Sequence, residues 1–175
     1  GTDWIEDIVL RQSGPDVYDQ WYQHEIPFDD PAILEALDAT GAILKNPAYV
    51  NGGLGDVSTI ATTDWDAGGF PILDGECWMH RAANFYGVNW QQVDADTTIG
   101  EDGDVYAFYL PSVDGETKPM LGGGEFVAAF DDRPEVVAFH TFLASDVWAN
   151  EKAAVSNAGW VSANSGLDPD NLTSD

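Results

Sequence analysis

Gly75-Glu76-Cys77-Trp78-Met79-His80, then Asn84-Phe85-Tyr86, then residues 105–110, then Gly122-Gly123-Gly124-Glu125-Phe126: this order decides how the chain is read. Residues 76–80 and 105–110 are mixed apolar and aromatic runs of strand length, the second stopped by Pro111, and residues 126–130 form a third strand candidate. The order predicts aromatic faces and open backbone near strand ends. Such ends suit the grip of a polyhydroxylated ligand, with C–H faces on aromatic rings and hydroxyls on carboxylates, amides and backbone groups.

Helical signals surround this stretch. Trp4, Ile5, Ile8 and Val9 make one apolar face of a helix capped by Thr2 and running to about Gln12, where Gly14 ends it. Pro15 suits the first turn of a second segment carrying Val17, Tyr18, Trp21 and Tyr22. Asp30 followed by Pro31 is a helix start, with Ile33, Leu34, Leu37, Ile43 and Leu44 as the expected buried face and Asn46-Pro47 as its end. Shorter helical turns are expected over 57–63 and 64–73. An amphipathic helix is expected over 133–145, through Val136, Val137, Phe139, Phe142 and Leu143, and a shorter one over 146–155. Residues 94–104 read as an exposed acidic loop and 157–175 as a polar tail. The fold class is α/β or α+β, helix-rich, with a small sheet covered by helices.

With 175 residues and 44% hydrophobic content, one ordinary core is the expectation, and seven Trp argue against an acidic disordered chain. Asp and Glu total 31 against 6 Lys and Arg, a net charge of -25 that repels phosphate backbones, so nucleic acid is a poor partner. A solvated surface explains most of this acidity. Cys77 is the one cysteine, which leaves no internal disulfide and no cysteine-based zinc site.

The chemistry of catalysis is thinly represented. His24, His80 and His140 lie far apart, no serine sits in a Gly-x-Ser-x-Gly elbow, and Asp102-Gly103-Asp104 lacks the later oxygen ligands of a calcium loop. The pairs Asp29-Asp30 and Asp131-Asp132 read as caps and turns. No catalytic residue, metal or cofactor is assigned. Trp4, Phe85, Tyr86, Phe126 and Trp160 stand nearest to loops or element ends, whereas Trp21, Trp65, Trp78 and Trp148 read as packed.

At these residues the chain resembles the extracellular solute-binding proteins of carbohydrate ABC transporters, family 1, of the maltose and α-glucoside type. The segments that carry the likeness are residues 1–7, His24 to Pro31, Gly75 to Phe85, Lys118 to Phe130, and Asn157 to Asn164. The resemblance implies part of a type II periplasmic-binding-protein fold: residues 1–175 as a single partial domain, mostly the C-terminal lobe, with a return toward the N-terminal lobe near 119–155. Its implied function is a non-enzymatic receptor that captures a sugar or oligosaccharide for membrane permease subunits. By the same resemblance Phe85 stacks on sugar and Asn84 takes a hydroxyl, Asp3 and Trp4 follow a cleft segment, and Gly123, Gly124 and Glu125 face the cleft. It further implies a monomer outside the cytoplasm, envelope-associated and lipid-anchored through a preceding segment, and a cysteine partner for Cys77 on an upstream strand. The residues by themselves leave two other readings open: a secreted carbohydrate hydrolase with paired carboxylates, and an acidic surface interaction domain.

Overall fold

A computed structural model describes residues 2–155 and 159–172. Contacts divide the chain into two compact units, unit 1 being Gly1–Thr63 with Phe108–Gly124 and unit 2 being Asp64–Ala107 with Glu125–Asp175.

Unit 1 is built on two helices, α1 (Thr2–Tyr22) and α2 (Pro31–Leu44). Gly14 breaks α1 with φ 83° and ψ 173°, and Pro15 restarts it, as the Gly-Pro order predicts. Asp30 caps α2 by accepting the Ala32 N–H at 3.0 Å. The helices meet through Val9, Ile33 and Ala36, all buried, with Ile5, Ile8, Tyr18 and Trp21 packed around them. The small Ala36 lets the two helices approach, and each buried Val or Ile contributes about 1.5–3 kcal/mol. The expected buried face of α2 is corrected here. Ile33, Ala36 and Thr40 turn inward, while Leu34, Leu37 and Ile43 are exposed because no element covers that side among the described residues.

Segment 108–119 is tied to α1 by Arg11. Its Nη1 meets the Asp7 carboxylate at 2.5 Å, its Nε donates to the Leu110 carbonyl at 2.9 Å, and its guanidinium lies 5.2 Å from the Tyr109 ring centroid. The next turn is closed by Asp114, which accepts from the Ser112 hydroxyl and from the Glu116 and Thr117 N–H groups. Those donors hold its carboxyl far below the usual carboxylate range.

Unit 2 has its core at Tyr86, Trp90 and Val105, with Phe70, Ile72, Leu73 and Ile99 against them. A 3-10 turn over Asn84–Tyr86 leads into α3 (Gly87–Val93). Tyr86, read from sequence as near a loop, is buried instead. Its hydroxyl donates to the Asp66 carbonyl and accepts the Gly69 N–H at 2.9 Å, while Trp90 Nε1 donates to the Gly69 carbonyl at 2.9 Å. A Cβ on Gly69 would lie 2.7 Å from the Tyr86 ring, so only glycine fits there. The remaining helices are α4 (Pro134–Leu143) and α5 (Asp146–Ala153), which pack on each other.

The three expected strands are also corrected. Among the described residues none of 76–80, 105–110 or 126–130 forms a strand, and the one bridge near them is parallel, Ile99 to Val105. A strand exists only where a neighbour takes its N–H and C=O groups along several residues, and here only Val105, buried in the core of unit 2, meets one. Other side chains of these segments stand in the open, Trp78 at 88% and Phe130 at 98% exposure. Cys77 is accordingly a half-buried thiol outside any strand, donating to the Met79 carbonyl at 3.3 Å. The architecture is helix-rich, and the small sheet is not seen among the described residues. Asp104, in the loop that looks like a calcium site, uses its carboxylate to accept from the Thr98 N–H at 2.9 Å and the Thr98 hydroxyl at 2.7 Å.

Candidate functional site

Unit 2 holds a groove of about 410 Å³ walled by Phe126, His140, Leu143, Trp148 and Trp160, with Glu125 and Lys152 supplying charge. Local sequence builds each wall. Ser145 caps α5 by accepting the Trp148 N–H at 3.2 Å, which fixes where the first turn of α5 presents that indole. Trp160 follows Gly159, a residue at φ 57°. Phe126 and Glu125 follow the open glycines Gly122, Gly123 and Gly124, around which no side chain crowds.

Trp148 and Trp160 pack edge to face at 6.4 Å, and the Lys152 ammonium lies 5.9 Å from each ring centroid. The three form a nearly equilateral triangle at the limit of cation–π range. Such a cluster offers flat apolar faces beside one fixed positive charge and one carboxylate. It can hold a ring with a C–H face and polar rim.

The segment carrying Trp160 is anchored by Asn150 of α5. Its Nδ2 donates to the Gly166 carbonyl at 2.9 Å, and its Oδ1 accepts the Asp168 N–H and the Asn171 amide, each at 2.8 Å. Asn164 adds a donor to the Ala144 carbonyl at 2.8 Å.

The sequence-expected residues fall as follows. Asn84 and Phe85 share one exposed turn in unit 2, Phe85 being 43% exposed and edge to face with Trp65 at 5.9 Å. Backbone links this turn to the groove segment, since a Cβ on Gly159 would lie 3.0 Å from the Phe85 carbonyl oxygen. Asp3 and Trp4 lie together in the first turn of α1, in unit 1, Asp3 exposed and Trp4 half-buried. Gly123 and Gly124 close unit 1, and Glu125, the next residue, opens the second stretch of unit 2 and lines the groove. Asn84, Phe85 and Glu125 are thus in one unit and Asp3, Trp4, Gly123 and Gly124 in the other. Asn157 and Ala158, in the late segment of the resemblance, lie outside the described residues.

Sequence reasoning missed Trp148, His140 and Lys152. Trp148 reads as packed because it falls inside a helical pattern, and the signal that could have found it is Lys152 one helical turn on, an i, i+4 cation and indole pair. Trp65 and Trp78, also read as packed, are exposed.

No family model matches the chain, and no solved structure matches it significantly. Two curated proteins do. The osmoprotective compounds-binding protein GgtB of Synechocystis sp. is 35% identical over 99% of this chain, and the alpha-glucosides-binding periplasmic protein AglE of Rhizobium meliloti is 32% identical over 96% of it. The chain spans 40% of the length of the first and 34% of the second. Over nearly all of its own length the chain is thus similar to a part of each of two solute-binding proteins.

Proposed function

We propose that the chain serves in a carbohydrate receptor of an ABC importer, which captures a sugar or oligosaccharide outside the cytoplasm and passes it unchanged to permease subunits. The observation that carries this reading is the meeting of Glu125 with Trp148, Trp160 and Phe126 in one groove, in a chain so similar to two binding proteins. A ring stacks on the indoles, Glu125 accepts its hydroxyls, and the Asn84-Phe85 turn next to Gly159 extends the aromatic surface. Asp3, Trp4, Gly123 and Gly124 are the ligand-binding candidates within unit 1. The α-glucosides named for AglE make that linkage the first ligand class to test, and capture by stacking and hydrogen bonding requires no catalytic step. In this reading residues 1–175 correspond mostly to the C-terminal lobe of a type II periplasmic-binding-protein fold, with 119–155 as the return segment, in a monomeric, envelope-associated protein.

Tryptophan fluorescence under titration with maltose, trehalose and longer α-glucosides tests it. A saturable change that is lost in Trp160→Ala and weakened in Phe85→Ala is expected. A flat response to every sugar, with the helical circular dichroism intact, would remove the receptor reading.

A further inference from the structure

The groove also holds a charge that neutral sugar binding leaves unused. The chain has 31 carboxylates for 6 Lys and Arg, so a cation that lines a groove without an acidic partner stands out. Arg11 pairs with Asp7, and Arg133 with Asp131 and Glu135. Lys45 and Lys118 stand exposed on the surface. Lys152 differs from all of these. It is half-buried, lines the groove, and among the described residues makes no ion pair, even though Glu125 lines the same groove.

With Nζ at 5.9 Å from both indole centroids, the ammonium lies at the edge of cation–π range of two rings, which attract it without neutralising it. Indole faces satisfy the cation's electrostatics only in part and accept none of its N–H donors well, so the three donors of the ammonium remain available to a ligand. A ring stacked in this groove brings one edge against Lys152 and another toward Glu125. An anionic substituent is favoured at the first and a hydroxyl at the second.

We propose that Lys152 selects acidic sugars, uronic acids or other glycosides bearing a carboxylate, over their neutral counterparts in the groove walled by Trp148 and Trp160. The proposal rests on the receptor reading and names the ligand class within it. The overall charge of -25 opposes any anion at long range, but at physiological salt that field is screened beyond about 8 Å, whereas a contact with Lys152 is not. A charge-assisted hydrogen bond in a partly desolvated groove corresponds to about tenfold in affinity.

The test uses the whole chain, titrated at physiological salt with methyl α-glucoside and methyl α-glucuronide, a pair differing only in the carboxylate. Calorimetry and tryptophan fluorescence are expected to show the glucuronide binding about tenfold more tightly, with Lys152→Gln bringing the ratio of the two affinities to about one. Equal affinities for the two glycosides would overturn the selectivity while leaving the receptor standing. Binding of neither overturns the selectivity, and the receptor reading then stands or falls on the titration with longer α-glucosides. If Lys152→Gln lowers the melting temperature but preserves the tenfold ratio, the ammonium serves only the C-terminal end of α5, and the proposal falls.

Discussion

Gly159 and Phe85 meet backbone to backbone: a Cβ on Gly159 would lie 3.0 Å from the Phe85 carbonyl oxygen and 3.1 Å from Val88 Cγ1. The contact sets the Asn84–Tyr86 turn beside the segment that carries Trp160.

Gly159→Ala therefore has two costs. At φ 57° an L-side chain loses about 1–2 kcal/mol, and the added methyl group pushes against a backbone atom that cannot swing away. Urea unfolding is expected to show destabilisation of about 2 kcal/mol. Trp160 emission shifts in the folded state as its segment moves off the turn. Unchanged emission and stability would show that the two segments are not rigidly joined.

Arg11 is the tie within unit 1. Its side chain and that of Asp7 are each only 7% exposed, so Arg11→Ala removes one member of a buried ion pair. Removing one member of a buried pair costs about 3–5 kcal/mol. Arg11→Lys keeps the charge but loses the planar fork that reaches Asp7 and the Leu110 carbonyl together, so its cost is smaller. Chemical denaturation of the three proteins gives the order native, Arg11→Lys, Arg11→Ala.

Burial pushes the His80 imidazole below its ordinary pKa, with the nearby Arg81 charge adding to the effect. His80 packs on Tyr86 with ring centroids 4.5 Å apart. The folded state favours the neutral ring, so its contribution is fully present above the unfolded value near 6.5 and is lost as pH falls through the lower folded value. Measured from pH 7.5 down to about 5, the unfolding free energy of native protein is expected to decline relative to His80→Gln. Parallel pH profiles would contradict a buried neutral imidazole.

Asn150 holds the segment after Trp160 through three hydrogen bonds, to Gly166, Asp168 and Asn171. Asn150→Ala forfeits them at roughly 0.5–1.5 kcal/mol each. The expected readouts are faster amide exchange over 164–172 and weaker ligand quenching of Trp160, with exchange in the Tyr86 core unaltered.

Local chemistry was legible and its partners were not. The cap at Asp30-Pro31, the break at Gly14-Pro15 and the start of α4 at Pro134 are written in residues adjacent in sequence, and the structure has them where the sequence puts them. Which side of α2 is buried depends on what packs there, and periodicity gave Leu34 and Leu37 the same standing as Ile33. The segments 76–80 and 105–110 have the composition of strands, yet pairing is a property of two segments, and of these residues Val105 alone forms a bridge, to Ile99. At the groove, Phe126 and Trp160 could be read from their glycine neighbours. Trp148 could not, because an indole inside a helix looks alike whether it faces a core or a groove.

The chain passes between its two units three times, after Thr63, after Ala107 and after Gly124. No single proteolytic nick at these crossings can release either unit, and no truncation can produce unit 1 without also carrying residues 64–107. During synthesis from the N-terminus, α1 and α2 emerge ready to pair, but Arg11 must wait for Leu110, so unit 1 is completed only after the first stretch of unit 2 has already left the ribosome.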